Sequence, residues 1–267
     1  MVHIEQRRVA LPTGVTLNVH IAGEGHDVLL LHGITGCGLY WSAQIDSLVT
    51  AGYRVFAPDG RGHGTSDRAS DYETSSIAED AAALITMLGL AKPTVIGHSM
   101  GGAQSLYLAS EHPELVGRLI LEDPAVWPQG GDDAYIAAMR DPWKQGLIAW
   151  TGMTHADLVA FKRAEAPHWS GEALDAWAMA KLQNDPEVLS WLDEIKTPVW
   201  QWLNKVTVPI TVLYCEPEKG GVVSAAFAQE LVGYMPHLNA VCIPGVGHEM
   251  HHDNPAAFIS AVWDAMN

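Results

Sequence analysis

The chain has 267 residues, 48% of them hydrophobic, which suits one large domain with a buried core or a core carrying an insertion. Fifteen Lys and Arg stand against 31 Asp and Glu, a formal net charge of −16; a field of that sign repels nucleic acid and anionic lipid, so neither is expected as a partner. The opening MVHIEQRRVALPTG lacks the apolar run of a signal peptide, no stretch reaches the ~18 apolar residues of a membrane span, and Cys37, Cys215 and Cys242 form no C-x-x-C pair, which predicts a cytoplasmic protein with reduced, buried thiols.

Short apolar runs bounded by turn residues then alternate with longer helical patterns. TLNVHIA (16–22) and VLLLHG (28–33) read as strands, the second too uniformly apolar to keep a face in water. YRVFAPDGRGHG (53–64) is a strand running into a Pro/Gly loop, and SSIAEDAAALITMLGL (75–90) has helical periodicity. PTVIGHS (93–99) is a β-branched strand, MGGAQSLYLASEHP a helix stopped by Pro113, and GRLILEDP (117–124) a strand. After an interruption come VPITVLYC (208–215), AAFAQELVGYM (225–235) and NAVCIPG (239–245) as strand, helix and strand. PAAFISAVWDAM closes the chain as a helix, with Pro255 in its first turn behind Asp253 or Asn254 as cap. Such alternation predicts an α/β fold built of βαβ units, its parallel sheet covered on both faces.

The interruption, residues 125–206, differs in composition. It holds eight of the ten tryptophans (Trp127, Trp143, Trp150, Trp169, Trp177, Trp191, Trp200 and Trp202) and shows helical pattern with no convincing strand. It reads as a helical cap inserted into a core made of 1–124 and 207–267.

VIGHSMGG (95–102) is G-x-S-x-G at a strand-to-helix junction. A sharp turn there pushes the serine Oγ out above the sheet, and glycines two residues on either side keep it free of clashes. The following helix points its N-terminal N–H groups toward developing negative charge. Serine needs a base to act as a nucleophile, and sites of this kind run nucleophile, acid, histidine along the chain. His248, in the loop after the last strand, fits that order. The same stretch, PGVGHEMHHDNP, contains H-E-x-x-H, which in a zinc site requires both histidines on one helix face. Gly245 and Gly247 precede it and helix signals start only at Asp253, so residues 248–252 read as loop and no metal is expected. His251 and His252 are expected at the loop surface or just behind the site, and His32 and His63 as structural residues of Gly-rich loops.

LLLHGITG, APDGRGHGTSD, VIGHSMGG, LILEDP and IPGVGHEMHHDNP, in this order, resemble the α/β-hydrolase superfamily over essentially the whole length, and within it the capped serine esterases, lactonases, C–C-bond hydrolases and hydroxynitrile lyases. The resemblance implies an eight-stranded, mostly parallel sheet flanked by helices, a cap after the sixth strand and no cofactor. Carried over by position, Ser99 is the nucleophile and His248 the general base and then acid. The oxyanion hole is formed by the backbone N–H groups of Ile34 and Met100.

The triad acid departs from the commonest pattern. The loop after the seventh strand, where relatives place an Asp, reads YCEPEKGGVVS; the usual position falls on Gly220, with Glu218 and Glu216 nearby. The other location used in the superfamily is the end of the sixth strand, where this chain has Glu122 and Asp123. Alternation sends neighbouring side chains to opposite faces, so at most one of these meets the histidine. Asp123 is favoured, with Glu218 the alternative. The Trp-rich cap suggests apolar pocket walls, with Trp127 placed nearest the site, and its charged residues read as solvated helix faces with no arginine cluster to anchor a phosphate or carboxylate. The expected partner is a small hydrophobic ester or lactone hydrolysed through an acyl-enzyme; C–C-bond hydrolysis, cyanohydrin cleavage or a receptor of the same fold stay open, as does the oligomeric state.

Overall fold

The structure, a computed structural model, describes residues 2–150 and 152–267. β1 (Glu5–Ala10) and β2 (Thr16–Ala22) pair antiparallel, and β2 continues antiparallel onto β4 (Tyr53–Pro58). From there β3 (His26–Leu31), β5 (Thr94–His98), β6 (Arg118–Glu122), β7 (Ile210–Tyr214) and β8 (Leu238–Cys242) join in parallel. The result is one eight-stranded sheet in the order β1-β2-β4-β3-β5-β6-β7-β8. The strand β1 is the element that the sequence pattern does not reveal: EQRRVA lies on the sheet edge with five of its six residues exposed, so it carries no buried stripe.

The uniform apolarity of the central strands reflects burial on both sides. Leu29, Leu31, Val95, Leu119 and Leu121 enter one core, while Val28, Leu30, Ile96 and Ile120 alternate into a second core on the opposite face. α1 (Ser42–Thr50) covers the second face. α2 (Thr74–Leu88) and α3 (Met100–Glu111) cover the first.

Between β6 and β7 lie α4 (Asp133–Trp150), α5 (His155–Glu165), α6 (Gly171–Gln183), a 3-10 stretch over Pro186–Lys196 and the short α7 (Trp200–Leu203). α5 starts with a capping box in which Thr154 and Asp157 satisfy each other's backbone N–H groups. The insertion is tied down over the β-strand ends: the Tyr72 hydroxyl donates to Asp185 at 2.8 Å and the Trp191 indole to Thr74 at 2.9 Å. α8 (Ala225–Tyr234) returns to the first face. A single turn, α9 (Met250–Asp253), and α10 (Pro255–Met266) finish on the second. Asn254 caps α10 through a bond from the Ala257 N–H, which leaves Asp253 for other partners. Cys37 and Cys215 are buried thiols, but Cys242, expected buried, is exposed at the end of β8. No helix among the described residues is long and apolar enough to cross a membrane.

Candidate active site

Ser99 sits between β5 and α3 at φ 52° and ψ −114°, a region nearly reserved for glycine. The flanking glycines make the turn possible. A Cβ on Gly97 would lie 2.3 Å from the Gly101 carbonyl oxygen, and one on Gly101 2.2 Å from that of Leu31. Strain of this kind is worth about 1–3 kcal/mol, and glycine's extra chain entropy takes back ~0.5–1 kcal/mol. Ser99→Gly should therefore raise stability by about 1 kcal/mol while removing the nucleophilic oxygen; an unchanged or lowered melting temperature would contradict the strain.

His248 reaches the same site from the loop after β8, and its Nδ1 lies 2.6 Å from Asp123 Oδ2. Asp123, at φ 38°, is fully buried and accepts the N–H groups of Val222 and Val223 at 2.8 and 2.9 Å. The loop after β7 thus supplies donors to Asp123, the candidate acid, rather than an acid of its own. Gly220 is in a left-handed turn (φ 89°) and Glu218 is exposed. Burial lowers the His248 pKa, but the hydrogen bond and charge of Asp123, with Glu249 and Glu122 behind them, outweigh it and hold the imidazole above its ordinary value.

Glu122 points the other way, as alternation requires. Fully buried, it accepts both the backbone N–H of His251 (2.9 Å) and its Nδ1 (2.8 Å), while Trp41 stacks on that imidazole with centroids 4.4 Å apart. Of the two places expected for them, His251 and His252 take the one behind the site and not the surface, and both are buried; His252 packs against Trp169 and Tyr40. Among the described residues no group of three His, Cys, Asp or Glu side chains is arranged to hold a metal. His248 is committed to Asp123 and His252 to an aromatic pocket, so the two histidines of H-E-x-x-H serve different neighbours.

His98, which sequence reasoning passes over, donates from Nε2 to the His248 carbonyl at 3.1 Å and so fixes the backbone that carries the imidazole. Its only sequence signal is its place inside G-x-S-x-G. The amides of Ile34 and Met100 donate to no protein acceptor among the described residues, and Met100 opens α3. Behind Ile34, His32 is fixed by donating from Nδ1 to Gly33 and accepting from the Gly60 N–H on Nε2. His63 packs edge-on to it, as expected of structural histidines.

Above Ser99 lies a cavity of about 720 Å³ bounded by the insertion. Trp143, Trp150, Trp169 and Trp177 line it together with Ile34, His98 and His248. Trp127 does not line it. The chain leaving β6 passes Ser99, the Ala125 N–H donating to the Ser99 carbonyl at 3.0 Å, but two residues on the Trp127 indole donates to the Tyr135 hydroxyl and its backbone bridges to Pro198. Nor are all the basic residues of the insertion solvated. Lys162 and Lys181 both face the cavity, Lys162 4.5 Å from the Trp169 ring and 3.6 and 3.7 Å from Glu249 and Glu165. Lys181 donates to the Thr35 carbonyl (2.9 Å), the Thr35 hydroxyl (2.6 Å) and the Tyr40 hydroxyl (3.1 Å), with Trp177, Trp150 and Tyr40 rings 5.2 to 5.7 Å away. Burial pushes its pKa down to about 7, with Lys162 adding to the fall and Glu249 opposing it. Thr35 is itself at φ 61°, costly for a β-branched residue, and the lysine clamps it there, one residue after Ile34.

A profile of the alpha/beta hydrolase fold matches residues 28–255, and the chain belongs to that family. N-formylmaleamate deformylase of Pseudomonas putida is 28% identical over 251 residues, 92% of this chain and 90% of that enzyme. An AB hydrolase superfamily protein of Bacillus subtilis is 43% identical over 112 residues, 40% of this chain and 39% of that protein. The solved structure of E-2-(acetamidomethylene)succinate hydrolase has a TM-score of 0.82 at 23% identity, covering 99% of each chain, a likeness of fold.

Proposed function

We propose that the protein hydrolyses a carboxylic ester or lactone of a small aromatic compound through an acyl-enzyme on Ser99. The observation that carries this reading is the short Asp123–His248 pair opening on the same tryptophan-walled cavity as a serine held at a strained strand-to-helix turn. His248 Nε2 takes the Ser99 proton as Oγ attacks the carbonyl carbon. Negative charge gathers on the carbonyl oxygen, where the N–H groups of Ile34 and Met100 and the positive end of α3 receive it. The imidazolium, steadied by Asp123, then gives its proton to the leaving alkoxide. Water attacks the acyl-enzyme by the same route in reverse and frees Ser99. The deformylase name of one relative, which like ester cleavage implies an acyl group passed to water, accords with this scheme.

The test is hydrolysis of p-nitrophenyl acetate and p-nitrophenyl hexanoate by wild type and Ser99→Ala. Turnover by wild type and a fall of about 10⁴ or more in kcat for the variant are expected; full activity in Ser99→Ala would overturn the assignment.

A further inference from the structure

We propose that the substrate carries a carboxylate, and that Lys181 and Tyr40 bind it at the end of the cavity beside the oxyanion loop. The inference rests on the acyl-hydrolase reading for the position of the scissile carbonyl. It deepens that reading by naming the group at the other end of the substrate.

Two observations meet at one place. The first is an amine with no carboxylate in contact, Glu249 acting on it only from beyond 4 Å. Lys162 shares its charge with Glu165 and Glu249, and Asp253 is taken up by His168, Trp169 and the Gly247 N–H. Lys181 has three neutral acceptors and, among the described residues, no carboxylate within 4 Å. A half-buried ammonium in that situation is under-compensated, and an incoming anion relieves it. The second is a donor without an acceptor. The Tyr40 hydroxyl accepts from Lys181, and its own proton finds no acceptor among the described residues although the side chain is only 3% exposed. An ammonium and a phenol proton side by side match the two oxygens of one carboxylate. The Lys181 contact to Tyr40 is the longest of its three, so it is the one an entering oxygen displaces while the Thr35 contacts stay.

The placement also limits the substrate. Both groups line the cavity that holds Ser99, and Lys181 is bonded to Thr35, the residue after Ile34. The carboxylate is therefore bound close to the oxyanion loop, and we place it on the acyl part of the substrate, which the choice of ester below tests. The tryptophans Trp150 and Trp177 flank the ammonium with apolar rings, which lowers the local dielectric and strengthens the pair. A monoester of a short dicarboxylic acid, or a lactone bearing a carboxylate, has this shape.

The experiment compares p-nitrophenyl hydrogen glutarate, which is anionic, with p-nitrophenyl valerate, its neutral counterpart of the same chain length, on wild type, Lys181→Met and Tyr40→Phe. Wild type is expected to favour the glutarate ester at least tenfold in kcat/KM. Lys181→Met should erase that ratio, chiefly through KM, and Tyr40→Phe should lower it severalfold, which decides the matter if the lysine variant does not fold. Equal kcat/KM for the two esters in wild type overturns the proposal and leaves the hydrolase reading standing. An equal loss on both esters in Lys181→Met also overturns it, leaving the lysine as a clamp on Thr35. Calorimetric titration with glutarate and with the neutral valeramide separates the remaining case. If wild type cleaves neither ester yet binds glutarate and loses that binding in Lys181→Met, the ester-hydrolase reading fails and the carboxylate site stands; no glutarate binding and no ester preference sinks the site.

Discussion

Asp123→Asn should lower kcat for ester hydrolysis by about 10⁴, while Glu218→Gln leaves it within about twofold, the scatter of a surface change remote from the chemistry. The carboxylate accepts from His248 Nδ1 at 2.6 Å and from two backbone amides, so an amide in its place keeps the shape but offers one acceptor and a competing donor. The imidazole then loses both the tautomer that bares Nε2 and the charge that stabilises its protonated form. The pH profile distinguishes this from simple damage. His248 is held above its ordinary value of about 6.5 chiefly by Asp123, against the pull of burial, so wild-type kcat/KM should rise with pH through a limb above that value. In the Asn variant the residual activity should show its limb at lower pH, because the neutral imidazole persists further into acid. If Glu218→Gln collapses the rate and Asp123→Asn does not, the acid lies in the loop after β7 and the assignment is wrong.

His251→Leu should destabilise the protein by about 3–5 kcal/mol, the range for removing one partner of a buried, hydrogen-bonded acid–base pair. Glu122 is wholly inside, and the imidazole supplies its side-chain donor, leaving only the His251 backbone N–H after substitution. The ring also fills the space against Trp41. For a chain of this size such a loss is a fall in melting temperature of about 10 °C. Glu122→Leu combined with His251→Leu should cost much less than His251→Leu alone, since replacing both members removes the stranded carboxyl group. Additive losses in thermal denaturation would show that the pair contributes packing only.

Much of the fold was legible because buried parallel strands and amphipathic helices leave strong local signatures. TLNVHIA begins and ends as β2 does, and the runs around Val95, Ile120 and Val212 fall on β5, β6 and β7. The candidate nucleophile and base were legible for the same reason: the glycine spacing around Ser99 and the chain order of His248 are local facts. The acid was legible only as a choice, because whether Asp123 or Glu218 meets the imidazole depends on how a loop 95 residues further on folds over a strand end. β1 escaped because an exposed edge strand has no apolar alternation to display. Lys181 and Tyr40 escaped for a different reason. A lysine on α6 reads as a solvated helix face until α6 is laid against the 33–40 loop, and nothing in AMAKLQ says which side of the helix that will be. Trp127 was misplaced by nearness in sequence: four residues from Asp123 along the chain, its indole and backbone are taken by Tyr135 and Pro198, while Trp143, Trp150, Trp169 and Trp177 wall the cavity.

The two adjacent acids at the end of β6 each hold a histidine from the same turn, one 125 and the other 129 positions further along the chain. A ribosome that has released β1 through β6 and α3 has made the serine and its acid but not yet the base. Closing so long a loop carries an entropic cost that β7, β8 and the insertion must offset before either histidine is captured. The same closing event brings in a buried pair, Glu122–His251, and the candidate catalytic pair, Asp123–His248, the first wholly inside and the second facing the cavity. On the proposed hydrolase reading, hydrolytic competence is coupled to completion of the sheet, and an unfinished chain holds Ser99 without the His248 imidazole beside it.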